Sequence, residues 1–406
     1  MDNNRVMKYY FGAKLITDLL FLQKIFFMRT LLQFSFLFLL SISCKKKEEN
    51  SDPLTAMYLS AQKIEYATGF TIQNYKDYKK IKVTTPWPDA KQDLTYILYP
   101  KGTKKPFYSA NSIFIEVPIE RVVVTSTTDI PMLEYMNLEN HLVGFPHTNY
   151  ISSEKTRALI DKGKIKELGK EYDLNTEVVL ELSPEVIIGF SATGDTKAYD
   201  LIQKTGIPVV MNGSWMEKHP LGRAEWIKFI AAFFGKETIA EHIFQNIKKE
   251  YNRAVTLAEN VKKSPTVLSG SMFKDIWYVP GGNSFMAQFL KDANTTYLWA
   301  DNNHSGSLTL NFESVLEKGQ NAELWIGVGN SKSLEELKEK NLRYEAFDAF
   351  KNKNVYSYSL KTGAKEGLIY YELGPMRPDL ILKDIIKIVH PELLIDYEPY
   401  FFKKLN

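Results

Sequence analysis

One seven-residue pattern occurs twice in this chain, and it constrains the fold more than any other feature. Asn175-Thr176-Glu177-Val178-Val179-Leu180-Glu181 matches Asn311-Phe312-Glu313-Ser314-Val315-Leu316-Glu317. Each copy is followed by a glutamate and a short apolar run ending in glycine, Glu185 to Gly189 and Glu323 to Gly327. An Asn N-cap accepts an amide of the first turn, and a glutamate in that turn offsets the helix dipole. Each copy therefore predicts a capped short helix leading into a buried strand. A chain that carries this unit once in each half is expected to fold as two related lobes.

The segment between the copies predicts how the lobes are joined. Ala224 to Phe234 and Lys236 to Val261 lack strand alternation, and Gly235 separates them. In the second stretch Ile239, Ile243, Phe244, Ile247, Tyr251, Val255 and Ala258 recur at spacings of three and four, the period of an amphipathic helix. Roughly 26 helical residues would span about 39 Å, enough for a stiff connection. On both sides short apolar runs alternate with helical stretches. They are Val122-Val123-Val124, Leu142 to Phe145, Val186 to Gly189 and Pro208 to Met211 before the helix, and Thr266-Val267-Leu268, Leu324 to Val328 and Val355 to Tyr358 after it. That alternation predicts βα units and mostly parallel sheets. Residues 66–117 read differently, as β-rich, with Pro86, Pro88, Pro100 and Gly102 as punctuation.

Composition removes several function classes. The formal charge is +3, from 51 basic and 48 acidic residues, which is too even for a nucleic-acid partner. One cysteine allows neither an internal disulfide nor a cysteine-rich zinc site. That cysteine, Cys44, follows Met28-Arg29-Thr30, an apolar run from Leu31 to Ile42, and Ser43. A basic start, a short apolar core and small residues describe a secretory signal, and the arrangement resembles a bacterial lipoprotein signal peptide. The resemblance implies that Cys44 is diacylated and becomes the mature N-terminus. Ser41 departs from it, standing where the pattern prefers Leu. Met28 is the expected start, with residues 1–27 an upstream extension. The expected division is 1–44 for extension and signal, 45–65 for a tether and 66–218 for an N-terminal α/β lobe with its β-rich extension. A helical linker over 219–264 and a C-terminal α/β lobe over 265–406 complete it.

Several further stretches carry a family resemblance: Arg121 to Val124 with its following helix, Leu142-Val143-Gly144, Leu182-Ser183-Pro184-Glu185-Val186-Ile187-Ile188, the linker helix, and Arg377-Pro378-Asp379. From about Ala67 to Leu394 the chain resembles the periplasmic substrate-binding proteins of iron–siderophore, haem and cobalamin ABC importers. The family usually has Asp where Glu185 stands. The resemblance implies an α/β fold of two Rossmann-like lobes joined by a single long helix, with the β-rich stretch as an extension of open role. It implies a monomeric carrier in the periplasm or cell envelope with no intrinsic cofactor. The transported ligand would be an iron chelate, haem or cobalamin, and the partner an ABC permease dimer in the inner membrane. In this family one glutamate of each lobe bonds arginines of the two permease subunits; the matching positions are Glu177 and Glu313.

Ligands of open α/β sheets sit beyond the carboxyl ends of the strands. That rule nominates Thr127 and Thr128 after the first strand, Ser191 in the 190–193 loop, and Trp215 after Asn212-Gly213-Ser214. In the second lobe it nominates Phe273 and Trp277, and Arg377 is a candidate for an anionic ligand. A rival site would hold a bare divalent metal through His147, His219 or His304 with carboxylates, but their spacing gives it no support. An enzyme is the other rival. The sequence has no G-x-S-x-G elbow, P-loop or G-x-G-x-x-G, and Gly189 to Gly194 misses the elbow spacing by one residue.

Overall fold

Alternating apolar and polar residues build the first sheet. Its strands β1 (Tyr58–Ala61), β2 (Phe70–Tyr75), β3 (Lys79–Val83), β4 (Leu94–Pro100) and β5 (Ile113–Val117) lie side by side in chain order. Only β4 and β5 pair in parallel. Phe70, Ile72, Ile81, Val83, Tyr96, Leu98 and Ile115 share one face and are buried, as the two-residue period of a strand requires. The computed structural model describes residues 57–406 apart from residues 110 and 172, and residues 56–406 form one compact unit. The expected signal segment and Cys44 lie outside the described residues. Among those described, no helix is long and apolar enough to cross a membrane.

The N-terminal lobe holds β6 (Val122–Val124), β7 (Leu142–Phe145), β8 (Lys166–Glu167), the small hairpin β9 (Gly169–Lys170) and β10 (Asp173–Leu174), then β11 (Val186–Gly189) and β12 (Val209–Met211). Its main sheet runs β12-β11-β6-β7-β8, all parallel. Strands β6, β7, β11 and β12 are buried along their whole length, which is why they read as unbroken apolar runs. The C-terminal lobe holds β13 (Thr266–Ser269), β14 (Ser271–Phe273), β15 (Ile276–Pro280), β16 (Thr296–Tyr297), β17 (Ser307–Leu310), β18 (Leu324–Ile326), β19 (Val355–Ser357) and β20 (Lys403–Lys404). Its main sheet runs β16-β13-β18-β19-β20, with β20 antiparallel at the edge, and β14-β15-β17 form an antiparallel side sheet.

The two lobes repeat one plan. In each, the second strand in chain order lies on one side of the first and the last two parallel strands lie on its other side, β7-β6-β11-β12 and β16-β13-β18-β19, with the short β8 added outside β7 in the N-terminal lobe. The glutamates that follow the sequence repeat also match. Glu185 accepts the amides of Glu120 and Arg121 just before β6, and Glu323 accepts that of Thr266 at the start of β13. Each fixes the entry of its lobe's central strand.

The lobes are joined by a helix from Glu237 to Glu259, about 35 Å long. It buries Ala240, Phe244, Ile247, Tyr251, Ala254 and Ala258 and packs against the helix Pro378–Val389. Gly235, at φ 64°, ends the preceding helix Ile227–Phe234, all eight residues of which are buried. Phe70 of the first sheet packs on Trp226 and Phe229, at ring distances of 4.7 and 5.6 Å.

One junction holds these parts together. The Glu225 carboxylate accepts the amides of Glu65, Tyr66 and Ala67 at 2.7–3.0 Å. Glu217 accepts those of Thr68 and Gly69 and the indole N–H of Trp226. The fully buried Lys228 bonds Glu225 and Glu241, both at 2.9 Å. The chain is therefore fixed well before residue 66: the tether expected over 45–65 contains strand β1 and part of this junction. Removing one partner of a buried pair costs about 3–5 kcal/mol. Glu225→Ala should lower the urea-unfolding stability of residues 56–406 by that amount. A loss under about 1 kcal/mol would show that the junction is not structural.

Candidate functional site

The strand order of each lobe creates a crevice where the chain reverses its direction across the sheet. In the N-terminal lobe this lies between the ends of β6 and β11. Thr125 closes it: its hydroxyl bonds Tyr199 Oη at 2.9 Å and accepts the Phe190 amide at 3.2 Å. Next to it Asp129 begins the helix Asp129–Tyr135 and is fully buried. Its Oδ1 accepts Asn212 Nδ2 at 2.6 Å, and Asn212 Oδ1 accepts the Ser214 amide at 2.8 Å. Oδ2 of Asp129 has no protein partner, and neither has the buried indole nitrogen of Trp215 on the turn Ser214–Met216. Burial pushes the Asp129 carboxyl up to about 7, against the pull of Asn212.

Arg223 ties this loop to the second lobe. It donates to the carbonyls of Trp215 at 2.7 Å and Glu217 at 3.2 Å, and its guanidinium lies 3.8 Å over the ring of Phe285, which opens the helix Phe285–Asp292. Burial holds its pKa down at about 10. Aromatic side chains collect beyond β19. Tyr358 stacks on Tyr370 at 4.6 Å and shares a 2.6 Å hydrogen bond with Tyr371.

The lobes also touch directly. Glu372 accepts the amides of Ser152 and Ser153 at 2.6 and 2.8 Å, and Arg377 donates to Tyr135 Oη at 2.9 Å. A Cβ on Gly363 would fall 2.6 Å from Ser152 Cα, so this contact needs glycine. The first sheet reaches the site as well. Trp87 packs on the cluster of Val123, Tyr199 and Met211, Tyr96 Oη accepts the Met211 amide at 2.9 Å on the edge strand β12, and the Thr85 carbonyl presses so close to Gly213 that no Cβ fits. The β-rich extension thus buttresses the loops that follow β11 and β12.

Several nominated residues stand elsewhere than expected. Trp277 is fully buried, 5.3 Å from Trp325 and wedged among Tyr344 and Phe347. It is core and cannot touch a ligand in this arrangement. The alternation of β15, with exposed Ile276 and Tyr278 on either side, turns it inward. Ser191 is buried and spends its hydroxyl on the Gly194 amide and the Asp195 carbonyl. Arg377 forms a two-pronged pair with Asp379 at 2.7 and 2.8 Å, so its charge is already met. Phe273 is 65% exposed on the β14–β15 hairpin. Thr127 and Thr128 are half-buried, with Thr128 Oγ1 bonded to Ser126, and Trp215 is half-buried beside Arg223. His147, His219 and His304 stay apart: among the described residues no group of three His, Cys, Asp or Glu side chains could hold a metal ion. A groove of about 810 Å³ between the linker helix and the C-terminal helices contains none of the nominated residues.

Local spacing does not reveal Asp129, Glu372 and Trp87, whose partners lie far away in sequence, or Arg223, whose partner Phe285 does too. Asp129 makes stability depend on pH. Its carboxyl titrates near 3.8 when unfolded and near 7 when folded, so between those values the native state holds a proton that the unfolded chain has lost. Stability should therefore fall, by up to about 4 kcal/mol, as pH rises through that window. Glu372, raised to about 7 by burial, acts in the same direction. Asp129→Asn should flatten the slope seen in denaturant unfolding at pH 4 to 8; an unchanged slope would contradict the assignment.

A model of the periplasmic binding protein family matches residues 122–361. Two uncharacterized lipoproteins of Methanocaldococcus jannaschii are similar to this chain. One is 29% identical over 302 residues, covering 72% of this chain and 70% of its own. The other is 28% identical over 329 residues, covering 76% and 79%. Among solved structures, a periplasmic haem-binding protein of Pseudomonas aeruginosa shares the fold at a TM-score of 0.55 and 16% identity, over 71% of this chain and 98% of that one. A Helicobacter pylori protein with Ni(II) bound does so at 0.54 and 19%, over 70% and 88%. The family model spans more than half of this chain, which therefore belongs to the periplasmic binding protein family.

Proposed function

We propose that this chain is the lipid-anchored substrate-binding component of an ABC importer, a carrier and not an enzyme. It captures an iron chelate, haem or cobalamin between its lobes and hands it to a membrane permease. The observation that carries the reading is the matched pair of exposed glutamates. Glu177 and Glu313 each stand in the first turn of a helix whose Asn N-cap, Asn175 or Asn311, accepts the amide three residues on. Each helix precedes the strand that pairs with its lobe's first strand, β11 on β6 and β18 on β13. Glu313 faces Arg343 at 3.3 Å but stays 73% exposed, and such a surface pair is worth little and exchanges readily. Two equivalent carboxylates on two related lobes suit a two-fold partner that presents paired arginines.

The cargo class rests on the cleft and on the relatives. Half-buried Trp215, the guanidinium of Arg223 and the Tyr358–Tyr370–Tyr371 cluster offer flat apolar faces with a few polar groups, the lining of a site for a large planar or chelated ligand. The Pseudomonas aeruginosa neighbour is described as a haem binder, and one from Staphylococcus epidermidis as a possible iron-binding protein. Both Methanocaldococcus jannaschii relatives are called lipoproteins, which favours lipid on Cys44 and a place at the cell envelope.

Glu177→Ala with Glu313→Ala should abolish cellular uptake of whichever labelled ferric siderophore, haem or cobalamin the wild type imports. Affinity in the cleft should be unchanged, because each glutamate contributes only about 0.3–1 kcal/mol to its own helix. Normal uptake by the double variant would overturn the docking role.

A further inference from the structure

The first sheet has a second face, and neither the cleft nor the docking glutamates use it. Tyr75 of β2 stands opposite Tyr58 of β1, with rings 5.7 Å apart. Tyr75 stacks on Tyr78 at 4.7 Å, and Tyr78 meets Tyr108 at 6.0 Å. The aromatic row therefore runs from the first described strand to the loop after β4. Within this row Tyr78 also packs with Ile97 and Tyr99 in a small core of their own, separate from the lobe cores. At the two ends of the row apolar side chains stand in the open: Tyr58 is 52% exposed, Met57 next to it 65%, and Phe107 next to Tyr108 72%.

Lysines surround these side chains. Lys76, Lys104 and Lys105 are exposed and Lys80 is half-buried, and none of the four has a carboxylate partner among the ion pairs of the described residues. Lys105 instead lies 4.0 Å over the ring of Phe114, and Lys80 lies 5.9 Å from that of Tyr75. Lys101 in the same loop is paired with Glu185. The acidic groups on this side are Asp77, Glu116, which accepts from Tyr99 Oη, and Asp93, whose charge is met by Lys82. The balance is positive, and the loop Lys101–Ser109 has no acidic residue.

We propose that this face, with Phe107 at its tip, rests on the surface of an anionic lipid bilayer. Aromatic rings prefer the headgroup level, lysine stems cover apolar surface while the ammonium reaches phosphate, and stable attachment takes two signals. A protein partner matches the pattern less well. Isolated apolar tips ringed by unpaired lysines lack the continuous apolar centre of a protein interface. The contact is separate from any lipid on Cys44, so a fragment that lacks that cysteine can test it.

Residues 56–406, the compact unit, would be sedimented with phosphatidylglycerol vesicles and with phosphatidylcholine vesicles. The proposal predicts binding to the anionic vesicles that weakens with salt, and far weaker binding to the neutral ones. Lys104→Glu with Lys105→Glu should reduce the anionic partition at least twenty-fold, at about five-fold per lysine, with unfolding unchanged. In this cysteine-free fragment Phe107→Cys takes a single environment-sensitive dye, whose emission should shift to the blue on anionic vesicles. No binding, equal binding to both vesicle types, or an unmoved dye would overturn the proposal.

Discussion

Two carboxylates, Glu217 and Glu225, accept five successive backbone amides from residues 65–69, and the arrangement of the whole molecule depends on that junction. Consecutive amides buried without partners would each carry a desolvation cost, and a buried lysine beside them would cost more. Here each charge has a partner: Lys228 lies between Glu225 and Glu241, and the amides take the remaining oxygen lone pairs. The same short segment carries Arg223, which grips the Trp215 loop and reaches Phe285 of the second lobe. Extension, linker and cleft thus meet within the twelve residues from Glu217 to Lys228. A change there is felt by all three, whereas a change on the outer side of the linker helix should be felt by none.

This geometry gives the β-rich extension a physical purpose. An edge strand such as β12 exposes unpaired backbone groups, and Tyr96 satisfies one of them. Trp87 and Thr85 then fill the space behind the Ser191 and Trp215 loops. Loops that present ligand groups must be held by their surroundings to be useful, and the extension holds two of them from outside. A stiff linker helix and direct lobe contacts through Glu372 and Arg377 favour small closure movements over a wide hinge.

Local patterns carried most of the fold. The linker helix was legible because one of its faces is buried at spacings of three and four. The parallel strands were legible because both of their faces are buried. The paired lobes were legible because Asn175 and Asn311 cap in the same way. The site was legible only in outline. Strand ends pointed to Thr127, Thr128 and Trp215, but a strand end does not say which way a side chain turns. Trp277 illustrates this: its neighbours Ile276 and Tyr278 are exposed and it is not. Arg377 was open to a better reading, since Asp379 two residues on already supplies its counter-charge. Asp129 and Arg223 could not be read at all, because Asn212 and Phe285 are distant in sequence and no local spacing links them.

The central claim is that cargo is held between the lobes, against the Trp215 loop. Tryptophan fluorescence of residues 56–406, titrated with ferric siderophores, haem and cobalamin, tests it most directly when wild type and Trp215→Phe are compared. The account predicts saturable quenching by one of these ligands in the wild type, with part of that signal lost and the rest shifted to higher ligand concentration in the variant, because Trp215 is the indole placed against the cargo while Trp87 behind the same loops and the core Trp226, Trp277 and Trp325 continue to report. Quenching that is the same in both proteins, or no saturable response to any of the three, would contradict it.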